Sequence, residues 1–400
     1  VFNNNEFNQI KKYLEKKNFL ITDEIIRIIF KNKIFLLILQ KSLLRDIFLE
    51  NIVTKIRKEI ILNINNFKNN SLEILNFVIS LAEQCFLNEY IYFESKDEKE
   101  IVRSLKNTIE KDEKIDEFQI AILACFVSLN NSKIISEKLM DYHSTNLLFN
   151  DLIDMQVREP KKEKKLINTI KSIGKISNKV SKKVQSQYEE NPYPRWRYFT
   201  QGIKFNFLNI LNSNIKPNKV TSENKFINPK VLIAGCGTGQ QLENIVCYEK
   251  SDIFAVDLSL SSLAYAKRKL QEQNFNKIEF LHGDILNLTS INKKFDVIEC
   301  VGVLHHMENP DMGLGILLDL LEPHGFLKLG LYSEISRKHI IEVRNFVKKN
   351  NFSIDVNNIR NTRELIKKDK DNKFSQKLTY NYDFYSMSSL RDMIFHVQEK

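Results

Sequence analysis

The run Lys230-Val231-Leu232-Ile233-Ala234, breaking into Gly235-Cys236-Gly237-Thr238-Gly239, constrains the fold more than any other stretch of the chain. The short apolar run predicts a β-strand. The glycines after it permit a tight turn and let a ligand approach the backbone. Residues 240–248 then carry helical periodicity, so the order is strand, glycine turn, helix. A helix starting there offers unpaired amides to negative or polar groups. A second apolar run, Ile253-Phe254-Ala255-Val256, ends in Asp257. A carboxylate at the end of a neighbouring strand is placed to hold a ribose diol through two hydrogen bonds. These residues predict an α/β domain that binds a nucleoside.

Spacing narrows the nucleoside. A dinucleotide-binding turn would carry its third glycine at position 240, which is Gln240 here, whereas in this chain three glycines alternate. With VLIAGCGTGQQ the chain resembles the class I S-adenosylmethionine-dependent methyltransferases, and the likeness covers residues 225–335. Ile278 to Asp284 is similar to that family's third strand and acidic turn, and Phe295 to His306 to its fourth strand and the motif after it. Leu321-Glu322-Pro323-His324-Gly325 looks like the turn before a fifth strand, with His324 replacing a more usual glycine.

The resemblance implies a Rossmann-like sheet and S-adenosyl-L-methionine as methyl donor, with no metal. Gly235, Cys236, Gly237, Thr238 and Gly239 would lie along the methionine portion, Asp257 and Leu258 at the ribose, and Asp284 with Ile285 at the adenine. Glu299 and Val301 would line the space beside the sulfonium. Methyl transfer is a direct displacement, so catalysis draws on alignment, for which roughly 7–11 kcal/mol is available. Where the acceptor must lose a proton, His305 or His306 is the candidate base, since imidazole titrates near neutral pH. The alternative is that both histidines shape the pocket wall or cap the helix beginning at Asn309-Pro310.

Upstream, residues 1–160 are helical in pattern and read as an all-α bundle or irregular solenoid that binds or positions something. Ser95-Lys96-Asp97-Glu98 is a capping box, and Ile101, Leu105 and Ile109 line one face of a helix over about 96–111. Similar periodicity occupies 22–40, 41–62, 71–92, 116–129 and 133–149. Residues 161–200 form a connector with eleven Lys or Arg against three acids, although the whole chain carries only +10. Its lysines recur opposite Leu166, Ile170, Ile173, Val180 and Val184, which predicts a basic amphipathic helix weakened by Gly174. Such a helix either meets RNA, an acidic protein or another anionic surface, or docks as a connector with solvated lysines outside.

QYEENPYPRWR, residues 187–197, contains Asn191-Pro192-Tyr193-Pro194, close in composition to the Asn-Pro-Pro-Tyr motif of amino-methylating enzymes. The order differs, the residues before it are polar, and VGVLHH already occupies the slot after the fourth strand, so a catalytic role is rejected. Two prolines favour an extended, stiff segment. It is either a lid, with Tyr193, Arg195 and Trp196 over the cofactor, or a linker anchored by the only Trp.

Residues 201–400 are read as the methyltransferase domain, C-terminally incomplete because no edge hairpin follows the fifth strand, and the chain as part of a longer protein. No apolar run approaches the roughly 20 residues that cross a bilayer. Five scattered cysteines predict neither a disulfide framework nor a zinc site, and a reducing, cytoplasmic compartment. The favoured function is methyl transfer to a small-molecule or protein acceptor. An RNA methyltransferase and a non-catalytic cofactor-binding regulator are the alternatives; the sequence names neither the acceptor nor the oligomeric state.

Overall fold

The computed structural model describes residues 2–14, 24–67, 71–190, 192–198, 206–221, 226, 228–242, 250–275, 277–350, 352–369 and 373–396. Its backbone divides into two compact units, one comprising Val1–Lys161 with His339–Phe395 and the other Lys162–Lys338 with His396–Lys400. The second unit is built on β1 (Lys171–Ile173), β2 (Lys230–Ala234), β3 (Asp252–Asp257), β4 (Ile278–Gly283), β5 (Phe295–Val301) and β6 (Leu321–Gly330). They pair in one parallel sheet in the order β1-β4-β3-β2-β5-β6.

This order makes the chain reverse direction across the sheet between β2 and β5. A reversal leaves a crevice at the carboxyl ends of those strands, where ligands bind in open α/β sheets. The apolar run of β2 serves both faces. Val231 and Ile233 pack with Leu263, Ala266 and Leu270 of helix α3 (Leu260–Gln271), while Leu232 and Ala234 pack on the opposite face with Ile298 and Leu317. Each such buried aliphatic side chain is worth about 1.5–3 kcal/mol, which fixes the strand at the centre. Two further helices, α1 (Lys179–Glu190) and α2 (Phe207–Asn214), precede the central strand, and α4 (Pro310–Asp319) follows β5. The helix expected over 240–248 falls largely on 243–249, outside the described residues.

The connector departs from the expected continuous basic helix. A helix over Glu159–Ile167 stops, Lys171–Ile173 pairs in parallel with Leu281–Gly283, and α1 begins only at Lys179. Gly174 explains the break, because its φ of +64° cannot continue a right-handed helix. The free edge of β4 offers the backbone hydrogen bonds that the helix gives up.

The helical unit matches its capping box: the Ser95 hydroxyl accepts from Glu98 N, the Glu98 side chain accepts from Ser95 N, and the helix runs Lys96–Lys111. The helix expected over 22–40 is interrupted at Asn32, whose side chain accepts from Phe35 N and starts a new helix, Lys33–Lys41. That expected over 133–149 divides into Lys133–Met140 and Leu147–Ile153, with Asn146 capping the second. Residues 339–395 were expected with the sheet but pack with the helices. Ile340, Ile359, Phe384 and Leu390 share one core with Ile52, Ile56, Phe77 and Leu81. Arg363 grips the buried Glu50 through two bonds of 2.7 and 2.6 Å, and Lys367 adds a third at 2.8 Å. The amphipathic helices of the C-terminal segment thus complete a core that the first 161 residues leave open.

Candidate active site

The glycine turn leaves β2 still joined to its neighbour's ladder. Gly235 N and Cys236 N both donate to Val256 O, at 2.8 and 3.0 Å, which carries the pairing past the end of β2 and sets the turn against the tip of β3. Gly235, Gly237 and Gly239 take φ of +83°, +51° and +81°. At all three the missing side chain makes room for protein: a Cβ on Gly237 would lie 2.8 Å from Tyr193 O, and one on Gly239 2.8 Å from Ala266 Cβ. A Cβ on Gly235 would collide with Val303. Cys236 and Thr238 are buried between them.

Asp257 is held where the sequence placed it. Gly237 N donates to one carboxylate oxygen at 2.8 Å and Ser259 N to the other at 2.9 Å. A carboxylate has about four acceptor sites, so capacity remains for a hydroxyl donor. Loss of water pushes the carboxyl up to about 6, against the pull of the Ser259, Gly237 and Leu258 amides, and the charge of Glu189 pushes upward as well. Glu189 reaches this site from α1. Its carboxylate accepts from Leu260 N at 2.6 Å and from Ser261 N and Oγ at 3.0 and 2.6 Å, at the start of α3, where unpaired amides favour an anion.

Residues 192–198 lie directly on the glycine turn. Trp196 Nε1 donates to Thr238 O at 2.9 Å, and Thr238 Oγ1 donates back to Pro194 O. Tyr265 of α3 donates to Trp196 O and meets the indole edge-on at 6.1 Å, and Lys269 donates to Arg197 O. Ser259 Oγ donates to Tyr188 O at 3.1 Å. The segment is therefore fastened at Thr238 and along α3 at Tyr265 and Lys269, while Tyr188 and Glu189 just before it hold residues 259–261. Trp196 is buried, Tyr193 and Arg195 half-buried.

On the other side of the crevice, β5 ends in Val301 and Gly302, whose amide donates to Gly330 O at 2.9 Å. Val301 is exposed there, while Glu299 lies two residues back inside the strand, buried and paired with Lys328 at 3.2 Å. A short turn, Leu304–His306, buries both histidines. Neither caps α4; that role belongs to Asn309, whose side chain accepts from Met312 N. The imidazoles contact each other at 4.2 Å, His306 stacks on His396 at 3.8 Å, and His305 stacks on Tyr332 at 3.9 Å. Asp284 is buried at the end of β4, with its side chain accepting from Leu286 N, and Ile285 is buried beside it. Leu258 O meets His282 Nε2 at 3.0 Å. The turn, Asp257 and the 192–198 segment thus form one connected group, and Val301 to His306 the facing wall.

Two residues of this arrangement escaped the sequence. Glu189 lay in a polar stretch with no apolar partner to mark it, and Tyr332 follows β6 in a segment with no motif; both matter through contacts distant in the chain.

The description "Methyltransferase domain" fits a family model over residues 231–325. A protein of unassigned function from Synechococcus sp., syc1184_c, is 37% identical over 118 residues, 29% of this chain and 28% of that one. The mitochondrial ubiquinone biosynthesis O-methyltransferase of Schizosaccharomyces pombe is 32% identical over 112 residues, 28% of this chain and 40% of the enzyme. The chain therefore spans less than half the length of either relative. Among solved structures, PKMT2 from Rickettsia typhi in complex with AdoHcy aligns at 25% identity with a TM-score of 0.37, over 43% of this chain and 36% of that one.

Proposed function

Residues 231–325 being a class I S-adenosylmethionine-dependent methyltransferase domain, we propose that this chain transfers the methyl group of S-adenosyl-L-methionine to a hydroxyl of a small-molecule or protein acceptor. The observation that carries the reading is Asp257: a carboxylate at the tip of β3, steadied by backbone amides and retaining acceptor capacity for a ribose hydroxyl. The donor supplies an electrophilic methyl on a sulfonium. Asp257 would hold the sugar, with Leu258 beside it; Gly235 to Gly239 would lie along the methionine portion, and Asp284 with Ile285 at the adenine. Glu299, set back in β5 and paired with Lys328, would act on the crevice through its charge, and Val301 would face the transferred carbon. Tyr193, Arg195 and Trp196 would close the donor side.

An acceptor hydroxyl must lose its proton as the new carbon–oxygen bond forms and the carbon–sulfur bond breaks, its electron pair staying on sulfur. His305 is the base we assign, because it lies in the turn that follows Val303, the residue packed against Gly235. His306, committed to its stack with His396, would be its neighbour. The name of the yeast relative favours oxygen as the acceptor atom. Among the described residues no helix is long and apolar enough to cross a membrane. The scattered cysteines are the ground on which we propose a cytoplasmic, reducing setting.

Full-length protein incubated with donor labelled in the methyl group and a cell extract is expected to label the small-molecule or protein fraction. Label confined to RNA would transfer the reading to an RNA methyltransferase, with the basic connector as its contact, and donor binding without any labelled fraction would reduce the domain to a cofactor-binding regulator. Trp196→Ala is expected to weaken donor binding measured by calorimetry; unchanged affinity would reject the closing role of residues 193–196.

A further inference from the structure

Beyond β6 the chain turns back, and Tyr332 lays its ring on His305 with centroids 3.9 Å apart and planes 27° from parallel. The same ring meets His306 edge-on, at 6.1 Å and 84°. Arg337, in the next turn, puts its guanidinium carbon 3.6 Å from the centre of the Tyr332 ring, a cation–π distance. The result is a column of guanidinium, phenol and imidazole, with His306 edge-on beside His305 at 4.2 Å. His305 is buried, whereas Tyr332 is 37% exposed and gains little from burial alone. Residues from the turns after β5 and after β6 are thereby brought to bear on one imidazole.

We infer that Tyr332 is a positioning residue that fixes the plane of the His305 imidazole for proton removal from the acceptor hydroxyl, and that Arg337 clamps Tyr332 in place. The inference rests on the proposed methyl transfer with His305 as base. A general base works when its nitrogen comes within about 2.6–3.2 Å of the atom that carries the proton, or reaches it through one water. Free rotation of the ring about its χ angles would sweep that nitrogen through positions out of reach, and a flat partner on the ring face stops the sweep. A phenyl ring does this as well as a phenol; a branched aliphatic of similar bulk does not.

The test compares full-length wild type with Tyr332→Phe, Tyr332→Leu and Arg337→Gln, each labelled with ¹³C at the histidine Cε1 position, the His305 resonance being assigned by its loss in His305→Gln. Tyr332→Phe is expected to keep the His305 resonance and the rate of methyl labelling within about twofold. Tyr332→Leu is expected to move the resonance, by removing the ring current, and to slow labelling about 10- to 100-fold with donor affinity unchanged, since small misplacements of reacting groups carry losses of that size. Arg337→Gln lies between the two. In a His305→Gln background Tyr332→Leu is expected to add nothing. An unmoved resonance in Tyr332→Leu, or labelling as fast as in Tyr332→Phe, would overturn the inference. If wild type labels no fraction, the methyl-transfer reading falls, and with it the role given to His305 in catalysis. In that case the resonances alone still decide whether Tyr332 orients the imidazole.

Discussion

Glu50 and Asp257 are both carboxylates held among apolar neighbours, and their surroundings treat them oppositely. Glu50 is sealed in the helical unit, where loss of water would push its carboxyl up, yet Arg363 and Lys367 outweigh that and hold it down at about 2. Asp257 keeps accessible surface at the tip of β3. Among the described residues neutral amides support it, Glu189 opposes it, and its carboxyl rises to about 6. A carboxylate saturated by cations is finished as an interaction and can only hold structure. One supported by amides alone still has capacity for hydroxyl donors, and that difference separates a strut from a binding group.

The comparison breaks most visibly at Glu50. Glu50→Ala strands the buried Arg363 charge and is expected to cost about 3–5 kcal/mol of stability, read as a lowered urea midpoint. Donor affinity per folded molecule is expected to be unaltered. Asp257→Ala should do the reverse: folding is retained, while donor binding weakens by about 1.5–3 kcal/mol, roughly ten- to a hundredfold in Kd. A third experiment uses pH. The ionised Asp257 is the better acceptor of ribose hydroxyls, so calorimetric affinity is expected to hold above pH 7 and to fall as pH drops through about 6, towards tenfold per unit. Glu50, being depressed, gives stability that is complete above its ordinary value near 4.5 and lost as pH falls towards 2. Donor affinity should therefore fail well before the Glu50 cluster does. The smallest effect is expected from Glu189→Gln, which removes the opposing charge and shifts the affinity midpoint to lower pH by less than one unit; a shift upward would contradict the electrostatic account.

What the sequence announced was whatever depended on neighbours in the chain. The four apolar residues of β2, the alternating glycines and the acid ending β3 all act within a short span, as does the capping box at Ser95, and all are found in place. The connector misled because lysine periodicity continues through Gly174, whereas its backbone turns left-handed and hands Lys171–Ile173 to the edge of β4. The C-terminal helices misled for a different reason. Nothing in Val356–Lys368 says that Arg363 will seek a carboxylate more than 300 positions earlier, since amphipathic helices pair through shape and charge rather than order. Glu189 and Tyr332 were silent on the same grounds: one closes a helix start some seventy residues away, and the other covers a ring from the turn after β6.

The helical core that draws on both ends of the chain also sets an order of events during synthesis. The first 161 residues leave the ribosome with an apolar face still lacking Ile359, Phe384 and Leu390. At roughly 5–20 residues per second that face waits on the order of ten seconds or more while the sheet, whose strands all lie between, is translated and can pair. A nascent chain with residues up to 338 clear of the ribosome should consequently display a sheet able to bind nucleoside and helices that attract chaperones.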